Sequence, residues 1–111
     1  MRDAAEAREL ALALPEAVEQ DHHGMPSFRV RGKIFATLPD EEHLRVMVDE
    51  SEIRAAVAEH PELCAEVWWG RRLSAVAVTL PPAPTGLVRE LLTEAWLRQA
   101  PRMLAADFHA D

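Results

Sequence analysis

Between Ser27 and Leu38 the chain alternates its side chains about one glycine: Phe28 and Val30 interleave with Arg29 and Arg31, then Ile34, Ala36 and Leu38 with Phe35 and Thr37. A period of two sends successive residues to opposite faces of an extended strand, so the stretch reads as two strands. Arg31-Gly32 stands between them, and glycine takes the positive φ of a tight hairpin turn without steric cost. The polar turn Pro39-Asp40-Glu41-Glu42 leads to a third strand, in which Leu44, Val46 and Val48 alternate with Arg45 and Met47. An antiparallel meander is the expected centre of the fold.

Helices are expected around it. Ala7, Leu10, Ala11 and Leu14 recur at helical spacing after Asp3 and Glu6, a cap pair, and Pro15 closes a first helix over about residues 3 to 14. Asp49 with Glu52 caps a second, with Ile53, Ala56 and Val57 on one face and Pro61 beyond its end. Residues 65 to 69 and 73 to 80 form another strand pair about Gly70-Arg71-Arg72, with Val76, Val78 and Leu80 inward. After the stiff Pro81, Pro82 and Pro84, Thr85 is placed to cap a third helix with an apolar stripe of Val88, Leu91, Leu92, Ala95 and Trp96. Met103, Leu104 and Phe108 suit either a short terminal helical segment packed on the domain edge or a frayed tail. The predicted order α-β-β-β-α-β-β-α, with one apolar face per strand, is α+β: a two-layer sandwich with a single antiparallel sheet and helices on one face.

At 111 residues and 49% hydrophobic, the chain suits one domain with one core. No apolar run approaches the roughly 18 residues of a membrane span, and Arg2, Asp3, Glu6, Arg8 and Glu9 interrupt any signal-peptide core, so a cytoplasmic protein is expected. With Cys64 alone there is no internal disulfide and no thiol cluster for zinc or iron and sulfur.

The net charge of −7 excludes a general nucleic-acid coat, but its distribution is uneven. Residues 39 to 66 hold nine acids against Arg45 and Arg54, whereas residues 67 to 89 hold Arg71, Arg72 and Arg89 and no acid. Arg29, Arg31 and Lys33 in the first hairpin and Arg71 and Arg72 in the second are therefore candidate phosphate contacts, two basic wings on an acidic body. The same residues also suit solvated arginines that guard sheet edges.

The stretch His22-His23-Gly24-Met25-Pro26-Ser27-Phe28-Arg29-Val30-Arg31-Gly32-Lys33-Ile34-Phe35-Ala36-Thr37-Leu38 resembles the signature of the MmcQ/YjbR family of small bacterial proteins. Leu14-Pro15, Trp68-Trp69, Val76 to Leu80 and Leu87 to Ala100 extend the resemblance over about residues 7 to 104. It implies a helix-on-antiparallel-sheet fold similar to frataxin-like and secretion-chaperone-like domains, and a DNA-binding role attached to a double-wing appearance. Carried onto this chain, that role falls on Arg29, Arg31, Lys33, Arg71 and Arg72.

Other residues carry simpler expectations. Adjacent His22 and His23 should point to opposite sides of an extended segment and so not share a metal. Trp68 and Trp69 should likewise diverge, one filling the core and the other on the outer sheet face, where it could stack on bases. Cys64 suits a small buried hydrophobe and Trp96 the core. No phosphate-cradling glycine loop, nucleophile elbow or metal motif is present, so no enzyme activity and no cofactor are expected. The expected function is a monomeric, non-enzymatic protein that binds DNA weakly through two basic hairpins. The alternative is a protein-interaction module using the mixed sheet face, and a third possibility is a small-ligand pocket beneath Gly24 to Phe28.

Overall fold

The computed structural model describes residues 3–108. Its elements run α1 (Ala4–Leu12), β1 (Ala17–His22), β2 (Met25–Val30), β3 (Lys33–Asp40), β4 (His43–Val46), α2 (Glu50–Glu59), β5 (Cys64–Trp69), β6 (Arg72–Thr79), α3 (Thr85–Gln99) and α4 (Arg102–Ala106). The six strands form one antiparallel sheet of order β1-β2-β3-β4-β6-β5, and the class is α+β.

One strand, β1, adds to the five expected. Its sequence AVEQDH has no continuous apolar face, because it is an edge strand that pairs only with β2, from Ala17↔Val30 to His22↔Met25. The two-residue turn His23-Gly24, with φ of 54° and 86°, makes that hairpin, and Arg31-Gly32, with φ of 49° and 82°, makes the next one as expected. Both positions at positive φ is the turn geometry whose twist matches that of the flanking strands.

Register separates the two faces. One row crosses the sheet as Glu19, Phe28, Ala36, Val46, Val76 and Glu66; its four central members are fully buried, and the glutamates end it at the two edges. Ile53 of α2 and Val88, Leu92 and Trp96 of α3 join these residues in one core. The next row, Gln20, Ser27, Thr37, Arg45, Ala77 and Ala65, lies on the opposite face. In β3 the expected alternation fails: Phe35 through Leu38 are all buried, and Ile34 is not. The register slips where Phe28 pairs with Ala36 but Arg29 with Ile34, so Phe35 is an extra, bulged residue that can turn inward beside Ala36.

Helix starts follow local chemistry. Asp3 accepts from the Glu6 backbone N–H, and Asp49 from that of Glu52 at 2.9 Å, so both expected caps form. Thr85 is not a cap: Pro84 takes that position and no side chain caps α3, leaving Thr85 as its first helical residue. The Glu52 N–H and the Ser51 hydroxyl hold the Asp49 carboxyl below the usual aspartate range. A depressed folded-state value means this support is complete above the ordinary aspartate pKa and is lost as pH falls through the depressed one. Thermal unfolding between neutral pH and pH ~2 should therefore show a shallower acid loss for Asp49→Asn, which caps without titrating, than for the native protein.

Candidate functional site

The pairings fix where the two basic turns lie. β2, β4 and β5 run one way and β3 and β6 the other, so the Arg31-Gly32 turn after β2 and the Gly70-Arg71 turn after β5 emerge at the same end of the sheet. Three strand spacings separate them, about 14 Å along a sheet with ~4.8 Å between neighbours.

The five candidate cations divide unequally. Lys33, Arg71 and Arg72 are exposed at the two tips and carry no ion pair among the described residues. Arg31 is also exposed, but its guanidinium grips Glu16 through two bonds, the longer 3.0 Å from Nη2 to Oε2. The bond from Arg31 holds the Glu16 carboxyl below its ordinary range, so the pair is ionised and the tip charge is offset at neutral pH. Arg29 lies back on the sheet, half-buried, with Nε donating to the Ser27 hydroxyl at 3.1 Å, while that hydroxyl donates to the Gln20 carbonyl at 2.8 Å.

Across the outer face of the sheet, reached by the last turn of α3, opens a cleft of about 460 Å³. Thr37 and Arg45 contribute from the outer row, Trp69, Arg72 and Ser74 from the β5–β6 hairpin, and Arg98 from the last turn of α3. His22 and His23 stand at the β1–β2 turn. The lining holds three arginines and two histidines but no acid, a local inversion of the chain's −7. Arg98 is anchored by Nη1 bonds to the carbonyls of Met47 at 3.0 Å and Val48 at 3.3 Å, which fix its guanidinium. Arg45 and Arg98 escaped the sequence reading because Arg45 is a lone arginine on β4 and Arg98 one of four charged residues on α3; only the polar alternation Leu44-Arg45-Val46 marked Arg45 as facing away from the core.

Two expectations are corrected. His22 and His23 do not point apart: the positive φ at His23 turns the chain, and their rings lie 4.4 Å apart, both on the cleft. The described residues nevertheless contain no group of three or more metal-ligating side chains. Neither Trp68 nor Trp69 fills the core, since they are 47% and 52% exposed at the end of edge strand β5. Trp68 donates from Nε1 to Glu66 at 3.1 Å, and Trp69 faces the cleft. Ser27 is buried and bonded to backbone, so of the histidine and serine expected beneath Gly24 to Phe28 only the histidines reach the space. Cys64 is buried as expected, and burial pushes its thiol pKa up, away from reactivity. Among the described residues no helix is long and apolar enough to cross a membrane.

Comparison with known proteins agrees with this architecture. Residues 12–98 match the model of the YjbR family. The crystal structure of Deinococcus radiodurans protein DR2400, which has a DUF419 domain, is similar with a TM-score of 0.74 at 22% identity, covering 88% of this chain and 78% of that one. At that identity the likeness concerns the fold alone. No curated protein matches the chain. A match over residues 12–98, most of the sequence, makes this chain a member of the YjbR family.

Proposed function

We propose that the protein is a non-catalytic DNA-binding domain that contacts backbone phosphates through the tips of its β2–β3 and β5–β6 hairpins. The observation that carries this reading is the shared placement of the tips: Lys33, Arg71 and Arg72, without carboxylate partners among the described residues, at one end of one sheet. Their ~14 Å separation is close to the ~12 Å width of a major groove, so the two tips suit phosphates on its opposite walls. No basic helix enters between them, because α2 begins at that end with Asp49, Glu50 and Glu52. Binding is therefore backbone-directed, weak and indifferent to sequence.

Arg31 is the reserve charge. Glu16→Gln removes its counter-ion and adds a fourth phosphate contact, which should tighten duplex binding about eightfold at ~0.1 M salt through release of ~0.9 counterion. A gel-retardation titration of native and Glu16→Gln protein at low salt checks this. Absence of retardation by the native protein would remove the proposal.

The exposure of Trp68 and Trp69 on the unpaired edge of β5 favours a second reading, in which a partner protein segment adds to that edge. Such binding would persist at high salt, whereas phosphate contacts would not.

A further inference from the structure

The cleft on the outer sheet face has a composition that the hairpin reading does not use. Three arginines converge on it without an acid in the lining, and charge is focused where low-dielectric walls surround it. Arg45 stands in the outer row between Thr37 and Ala77 and has no carboxylate partner among the described residues. Arg98 spends one nitrogen on backbone and is held in place, and its remaining donors have no hydrogen-bond partner among the described residues. Acids stand on the far side of Arg98: Asp49 and Glu52 at the start of α2 both act on it, and Glu94 lies one turn earlier on α3. None of them lines the cleft, and Asp49 Oδ1 accepts from the Glu52 N–H and the Ser51 hydroxyl.

The rest of the cleft is built for a ring rather than a bare ion. Trp69 presents half of its surface, the His22 and His23 rings stand at the β1–β2 turn, and Met25, Ile34 and Leu73 supply apolar wall. A volume of about 460 Å³ lies within the ~300–1,000 Å³ of small-molecule sites, which combine apolar and aromatic walls with a few convergent polar groups. An inorganic anion alone would leave that wall unused, and an uncharged aromatic would leave three arginines unanswered.

The geometry points to a nucleotide site, in which Arg45, Arg72 and Arg98 take a phosphate and Trp69 stacks on the base. Planar guanidinium groups match phosphate oxygens, and base-aromatic stacking is worth about 1–3 kcal/mol while tolerating any base. The site does not rest on the duplex reading. Only Arg72 belongs to both; Trp69 pairs with it across the β5–β6 hairpin but is no phosphate contact there, and Arg45 lies back in the outer row.

A free mononucleotide and the 5′-phosphorylated end of a single strand share this chemistry. The test is a tryptophan-fluorescence titration of the full chain with adenosine monophosphate, adenosine, inorganic phosphate and a 5′-phosphorylated oligothymidylate. Saturable quenching is expected with the mononucleotide or the phosphorylated strand, with adenosine and inorganic phosphate each at least tenfold weaker. Binding of the strand alone identifies a strand end; binding of both identifies the nucleotide as sufficient. Arg45→Ala should weaken binding at least tenfold while duplex retardation is unchanged, and Trp69→Leu, at an exposed position and followed by calorimetric titration because its reporter is gone, should weaken it without affecting folding. Failure of both nucleotide probes to bind at millimolar concentration, or equal binding by native protein and both variants, would overturn the site.

Discussion

Trp96→Ala is expected to destabilise the domain by about 3–5 kcal/mol, a large share of the ~5–15 kcal/mol typical of a domain. The side chain is fully buried, and its ring meets Phe108 with centroids 4.9 Å apart. Its Nε1 donates to the Pro15 carbonyl at 2.9 Å, tying α3 to the loop between α1 and β1 across most of the chain. Truncation therefore opens a cavity and leaves a half-buried acceptor without its donor. Trp96→Phe keeps most of the volume and should lose about 1–3 kcal/mol, the cost of the unanswered carbonyl. Urea unfolding separates the two: the midpoint should fall in the order native, Trp96→Phe, Trp96→Ala, with the slope unchanged. Equal stability of native and Trp96→Ala would show that the core is not organised about this residue.

The second large effect concerns the tips. If Lys33, Arg71 and Arg72 each meet one phosphate, replacing all three with alanine removes about 2.7 released counterions, and at ~0.1 M salt duplex affinity should fall about 500-fold. The three residues are exposed and have no carboxylate partner among the described residues, so the fold should be unaffected. Replacing Arg29 should do far less, because it lies on the sheet face against Ser27. A triple variant that binds duplex as well as the native protein would place the contacts elsewhere.

Most of the framework was legible where local chemistry and tertiary context agree. Asp3 and Asp49 cap their helices, Arg31-Gly32 turns its hairpin, and Val76, Val78 and Leu80 are buried as their alternation demands. Legibility failed where context decides. β1 has no apolar face to announce it, because an edge strand with one neighbour needs none, and His23-Gly24 was its only signal. The Phe35 bulge buries Phe35 in place of Ile34 while Ala36 and Leu38 stay buried, and no period of two contains a bulge. Trp68 and Trp69 read as candidates for core and outer face, yet β5 is an edge and both remain exposed. At the site, the cluster of basic residues about two turns was visible in the sequence, but the Glu16 carboxylate that occupies Arg31 comes from the distant loop before β1. The cleft was the least legible feature, since Arg45, Arg72 and Arg98 meet only through the sheet order and the course of α3.

In the proposed reading an acidic protein holds three cations, unpaired among the described residues, at one end of its sheet for phosphate. A titration of native protein with duplex DNA across a salt series of roughly 20–200 mM counts those contacts, because the slope of log affinity against log salt is about −0.9 per phosphate. Three contacts predict a slope near −2.7, and a slope near zero, or no binding at the lowest salt, would contradict the account.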